Sequence, residues 1–552
     1  GPPPPTPESP PASEPLGATE ATRFPSQATF GPSAEAVDAL VNSGMESWFL
    51  AELQKPPSLH LDSVLAGLPA DGRIVDDNGN PLPEFVFLTS DSVWRTAIEG
   101  DDQLRQRMAF ALSQILVVSA NSNLIVAPQA IAHYADILTE GAFGNYRDLL
   151  EAVTYSPAMA VYLTYLRNEK ADPDTGRVPD ENYARELLQL FTIGLVALNP
   201  DGTQLNDGDG DQVELFDNED ITGLAKVFTG LSFDGVAFDT PYRQLPAGAF
   251  HSPLVGFDAL HSPEAKVFLD THIPAGTNVE QSIDMALDAI VAHPNVGPFI
   301  GRQLIQRFVT SAPQAAYVER VAAAFDSGRY TLASGDVVGE GRRGDLAATL
   351  AAVLFDARAR DLSPRQEATF GKLREPVLRF THWARVFSVN SADASNEGAL
   401  RDTSSPLALA QHPYRSPSVF NFYRPVYIAP GTHTGAAGLT APELQITNAS
   451  SLVGYPNFIS AYAFEVAPVR RAGLPARFVP DYTQEAAIAD DPEALVAHLD
   501  RKLAHDALSS ESRQRIVDIL QMLEASSDQG RLLRARVASV LVMSTPEYIV
   551  LR

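Results

Sequence analysis

Glu181-Asn182-Tyr183-Ala184-Arg185-Glu186-Leu187-Leu188-Gln189-Leu190-Phe191-Thr192-Ile193-Gly194 reads as one short, complete helix. At about 100° per residue, Asn182, Arg185, Glu186, Gln189 and Thr192 fall within an arc of roughly 120°. Tyr183, Leu187, Leu188, Leu190 and Phe191 fill the rest, and only Ile193 interrupts the polar arc. Asp180 is placed to cap the start, Glu181 sits where the helix dipole favours an acid, and Gly194 is placed to end the helix. A helix with so large an apolar face needs other helices to bury it against.

Working outward, apolar residues recur at three- and four-residue intervals over 37–54, 91–119, 128–139, 146–153 and 158–168. The pattern returns over 281–292, 296–310, 313–325, 345–356 and 372–387, and again over 493–504, 510–524 and 532–544. The expected fold is therefore mainly α, one large multi-helix body with long irregular loops, occupying 31–552 as a single domain. Residues 71–83 and 199–217 carry Gly- and Asp-rich turn chemistry and read as small β-hairpin-like insertions. Residues 232–278 and 408–457 lose the helical period. They read as ordered loops, the first with a short strand pair and the second covering one end of the bundle. Residues 1–30 read as a Pro-rich tether, extended or disordered, with eight prolines among the first fifteen residues.

The order of these blocks resembles a bacterial family, domain of unknown function 1800, of which the 181–194 stretch looks like the signature. Trp48 within 44–57 resembles the family's first helix, and Ala142-Phe143-Gly144-Asn145-Tyr146-Arg147 with Ser156-Pro157-Ala158-Met159 resembles its approach to the signature. Gly371-Lys372-Leu373-Arg374-Glu375-Pro376, Ser416-Pro417-Ser418-Val419-Phe420-Asn421-Phe422-Tyr423 and Ala441-Pro442-Glu443-Leu444-Gln445 look like later blocks. The resemblance brings no reaction. It implies an exported chain, periplasmic, at the cell surface or extracellular, and a second exported family, domain of unknown function 1501, as a partner.

Composition narrows the chemistry. The formal net charge of −27 disfavours nucleic acid, because phosphate binding needs clustered Lys and Arg. No apolar run approaches the roughly 18 residues of a membrane span. With no cysteine in 552 residues, disulfides, thiolate metal sites and thiol nucleophiles are excluded. There is no nucleophile elbow, phosphate loop, dinucleotide fingerprint or paired-histidine zinc helix, and no cofactor is expected.

What remains is carboxylates, amides, arginines and aromatics. On the signature helix, Glu186 is the candidate acid or base, Arg185 a carboxylate clamp, and Asn182 and Gln189 orienting hydrogen bonders. The same face also suits plain solvation with i,i+4 pairs, or a buried brace. In the loop block, Gln411, Tyr414, Arg415, Asn421, Tyr423, Arg424 and Glu443 mix aromatic and hydrogen-bonding groups, as a sugar-binding surface or a plugged bundle end would. Asp207, Asp209 and Asp211 alternate as calcium-loop ligands do, though without the EF-hand glycine and glutamate; the alternative is a solvated acidic turn. His251, His261 and His272, with Lys266 nearby, match no metal spacing. Two functions follow: a structural or binding component of a cell-surface or extracellular assembly, or a cofactor-independent hydrolase or lyase acting on a polysaccharide or similar polymer.

Overall fold

The computed structural model describes residues 16–69, 74–76, 80–389, 400, 402–466 and 478–552. Helices dominate, and the strands are short antiparallel pairs, as the hydrophobic period predicts. Three helices, Val296–Phe308, Ala315–Ser327 and Leu346–Phe355, pack on one another, while Pro128–Glu140 is the helix against which most of the N-terminal elements pack. Their starts and stops follow local chemistry. Asp345 caps Leu346–Phe355 by accepting from the Ala348 amide, and Gly328, at φ 63°, ends Ala315–Ser327 in the left-handed conformation that costs other residues more.

Apolar burial organises the chain into two clusters. One runs from Phe24 to Phe370 and contains Tyr183, Leu187, Leu188 and Phe191 of the signature. The other is built on Phe380, Trp383, Leu495, Leu499 and Val542, and draws in Phe30, Trp94 and Phe110 from the first half of the chain. Residues 371–376 lie between Phe370 of the first cluster and Val377 of the second. There, Lys372–Leu373 pairs antiparallel with Val550–Leu551, tying the middle of the chain to its end.

Several sequence expectations shift. The tether expected to reach residue 30 gives way by Ala18–Ala28, a helix whose Arg23 and Phe24 are fully buried; the expectation for residues 1–15 lies outside the described residues. Arg23 donates from Nε to the Arg552 carbonyl at 2.6 Å and from Nη2 to the Ala359 carbonyl at 2.9 Å, which accounts for the burial. The helix expected over 37–54 breaks at Gly44, at φ 79°, into Ala34–Ser43 and Met45–Leu53. That over 91–119 becomes Leu88–Glu99 and Gln103–Ser113, and that over 372–387 opens as a strand before Pro376–Val386. In each case the apolar period continues across a break set by backbone conformation, which periodicity does not register.

Of the irregular regions, 232–278 contains two strand pairs rather than one: Leu231–Ser232 with Val255–Gly256, and Lys266–Phe268 with Thr271–Ile273. The 408–457 stretch is turns with two short helical pieces, His433–Ala436 and Pro442–Ile446, as far as residue 447, after which Asn448 caps the helix Ala449–Ala463. The 199–217 insertion is a hairpin-like excursion held by the bridges Leu198 to Gln204 and Asn206 to Gln212. In the 71–83 insertion, Val75 bridges Pro81, and residues 71–73 and 77–79 lie outside the described residues.

The signature itself is not one α-helix. Asn182–Glu186 is α-helical and Leu187–Thr192 widens into a π-turn. The extra residue per turn rotates Thr192 and Ile193 inward, and both are fully buried. The Thr192 hydroxyl is satisfied there by donating to the Leu187 carbonyl, five residues back, at 2.5 Å. Gly194, at φ 77°, closes the turn by donating to the Leu188 carbonyl. Tyr183 stacks on Tyr165 with centroids 4.2 Å apart and meets the Thr154 hydroxyl at 2.8 Å.

Candidate functional site

The strongest polar constellation lies at the seam between the two apolar clusters, centred on Glu375. Pro376 begins a helix and leaves Glu375 in extended backbone at its N-cap, where its carboxyl makes no capping bond. Glu375 is fully buried. Its Oε2 accepts from Gln114 Nε2 at 2.6 Å, from Gln411 Nε2 at 2.7 Å and from the Tyr423 hydroxyl. Gln411 closes the arrangement, because its Oε1 accepts the Val377 amide at 3.1 Å. Burial by itself pushes the Glu375 carboxyl up. Lys372, Arg107 and Arg307, with the Tyr423 hydroxyl, outweigh that effect and hold it below the ordinary carboxylate value.

A second carboxylate sits beside it. Glu443 and Lys372 form an ion pair at 2.8 Å with both side chains 1% exposed, and Ser311 Oγ donates to the other Glu443 oxygen at 3.0 Å. Lys372 Nζ also donates to the Gln306 carbonyl at 3.0 Å. Arg307 lies over the Tyr423 ring at 5.1 Å and Arg107 over the Phe308 ring at 4.5 Å. A cavity next to Gln114, Gln411, Tyr414 and Asn421 has about 10 Å³ of free volume, enough for a single water.

The candidates named from the sequence therefore divide. Gln411, Tyr423 and Glu443 come together in this buried network. Asn421 is buried beside it, held at φ 62°, while Tyr414 and Arg415 are partly exposed at its edge. Arg415 lies over the Phe87 ring at 4.9 Å. Arg424 is exposed and lies over Phe420 at 4.8 Å, apart from the buried groups.

On the signature helix, Arg185 is half-exposed and only loosely paired with Glu181 at 3.6 Å, and Asn182 Nδ2 donates to Thr164 Oγ1 at 3.3 Å. Gln189 is partly buried. Glu186 is buried, its Oε2 has no hydrogen-bond partner, and burial raises its carboxyl against the pull of Arg185. Arg185 and Glu186 thus do not close into a brace, and Tyr162 senses both Glu186 and Ser416 of the loop block.

The acidic run does not assemble as ligands. Asp207 Oδ1 accepts the amides of Asp209 at 2.9 Å and Asp211 at 3.0 Å, which makes it the acceptor of a turn. Among the described residues no group of three or more His, Asp or Glu side chains is gathered as a metal site. The histidines of 232–278 are also dispersed. His261 is buried between Thr229 and Ser282, whereas His272 is exposed on its strand.

The sequence reading overlooked Glu375, Lys372, Arg107, Arg307 and Gln114 as site residues. One signal was present: Lys372, Arg374 and Glu375 crowd three charges into a six-residue block ending in a helix-initiating proline. Residues 23–550 match the family described as Protein of unknown function (DUF1800). The chain belongs to that family. No curated protein and no solved structure matches it. The DUF1800 resemblance rested on blocks far apart in sequence, and Lys372, Glu375, Tyr423 and Glu443 from three of them meet in one buried network.

Proposed function

We propose that this chain is a structural or binding component of an assembly at the bacterial cell surface or outside the cell. The observation that supports this reading is the burial of the Glu375 network, whose polar groups face the interior rather than a cleft. In the interior, Glu375 accepts from Gln114, Gln411 and Tyr423, and Glu443 pairs with Lys372, next to a cavity the size of one water. Buried polar networks of this kind fix a unique packing rather than handle a polymer. Export, and a partner from the family domain of unknown function 1501, follow from the family resemblance and belong to the same proposal.

The test is sedimentation of the purified chain with a purified protein of that second family from the same source. A stable complex is expected. Two independently sedimenting species, together with release of sugar ends from a panel of extracellular polysaccharides, would overturn the reading.

The alternative, a cofactor-independent hydrolase or lyase on such a polymer, draws on Glu186. A raised carboxyl with an unpartnered oxygen is what a general acid needs. Loss of sugar release in Glu186→Gln, with an unchanged melting temperature, would favour it.

A further inference from the structure

Next to the Glu375 network the protein buries more positive charge than negative. Arg107, Arg307, Lys372, Arg374 and Arg379 are all buried, against the two buried carboxylates Glu375 and Glu443. These groups sense one another's charge. Glu375 is held down by Lys372, Arg107 and Arg307, Arg379 feels Glu443 and Glu375, and Arg374 feels Arg379. In a chain of net charge −27, an interior with three uncompensated cations runs against the general preference for pairing buried charge.

Between these cations lies a second cavity with about 10 Å³ of free volume, lined by Arg107, Lys372, Arg374, His382, Phe308 and Leu551 among others. No carboxylate lines it. Several donors around it have no hydrogen-bond partner among the described residues: Nε and Nη1 of Arg107, and Nε and Nη1 of Arg374. His382 is 2% exposed, and burial next to Arg374 keeps it well below the usual imidazole range. Burial brings Arg107 down to about 10, which leaves it charged at neutral pH. The nearest additional acid on the N-terminal helix, Glu20, is taken up by Arg23, Arg360 and Arg365.

We propose that this cavity is a structural site for one small monovalent anion, chloride in ordinary buffers, held by the unpartnered donors of Arg107 and Arg374. An anion there supplies both the missing negative charge and the missing acceptor.

The experiment has two arms. In the first, melting temperature is followed as sodium chloride replaces sodium gluconate at constant ionic strength and pH. Wild type should gain a few degrees, saturating with chloride, as expected for a ligand that binds only the folded state. Arg374→Gln should lose the chloride dependence. In the second arm, which stands even if that variant fails to fold, wild-type crystals grown in sodium bromide should show an anomalous peak within hydrogen-bonding distance of Arg107 and Arg374. Water density at that position in bromide-grown crystals, or identical wild-type melts in chloride and gluconate, would overturn the proposal.

Discussion

Glu375 and Glu186 are both buried glutamates in blocks that carry the family resemblance, yet their surroundings ask opposite things of their charge. Glu375 is held ionised by three cations, so Glu375→Gln leaves those cations without their counter-charge. A loss of about 3–5 kcal/mol is expected, the range for breaking a buried charge network from one side. Glu186 is raised by burial against the pull of Arg185, so removing its charge relieves a desolvation cost. Glu186→Gln should therefore change stability by less than about 1 kcal/mol. Denaturant unfolding of the two variants checks the contrast. Equal losses would mean that the charge of Glu375 is not what braces the seam, and a large loss at Glu186 would make it part of a brace.

At the scale of elements, the signature is held by a turn type as much as by its apolar face. Gly194 ends the π-turn at φ 77°, and a Cβ there would lie 2.9 Å from the Phe299 ring. Gly194→Ala should cost about 1–3 kcal/mol, combining left-handed strain with a ring that must move. A melt within one degree of wild type would show that the π-turn can rewind without consequence. The sequence identified the helix, its glycine stop and its buried Tyr183, Leu187 and Phe191. It missed the widened turn because an apolar wheel is blind to which carbonyl an amide reaches. The 199–217 insertion teaches a related point. Alternating aspartates serve turns and calcium alike, and here Asp207 accepts the amides of Asp209 and Asp211. Chelator should leave the melting temperature unchanged, whereas a reversible drop would restore the calcium reading.

For the whole molecule, the helical class and the existence of two polar regions were legible in the sequence, because period and composition are local properties. The seam was not, since Glu375 owes its state to Gln114, Arg107 and Arg307, which only the packing of the two apolar clusters brings near. The same packing buries several histidines as neutral rings, with a consequence for the entire fold. Burial lowers His60 to about 4 and His412 to about 3, and takes His382 and His505 well below the ordinary 6.5. A depressed native pKa means that the unfolded chain binds the proton first, so stability present above pH 6.5 is lost as pH falls through that value. Each such histidine contributes a slope of about 1.4 kcal/mol per pH unit. Asp136, raised by burial to about 6, works in the opposite direction below that pH, as do Glu52, Glu186, Asp326 and Asp500, while His133, His261 and His293, also lowered by burial, add to the four histidines. Melting temperature should fall steadily from pH 6.5 to 4.5 at constant chloride. His412 is the cleanest handle. Its Nδ1 accepts the Thr403 amide at 3.2 Å, a bond that an asparagine oxygen can take over, and its ring lies edge-on to Phe87. In His412→Asn the acid slope should be shallower by about one histidine, with little change in the melt at pH 8. Parallel slopes for the variant and wild type across that window would show that this ring does not stay neutral inside the fold.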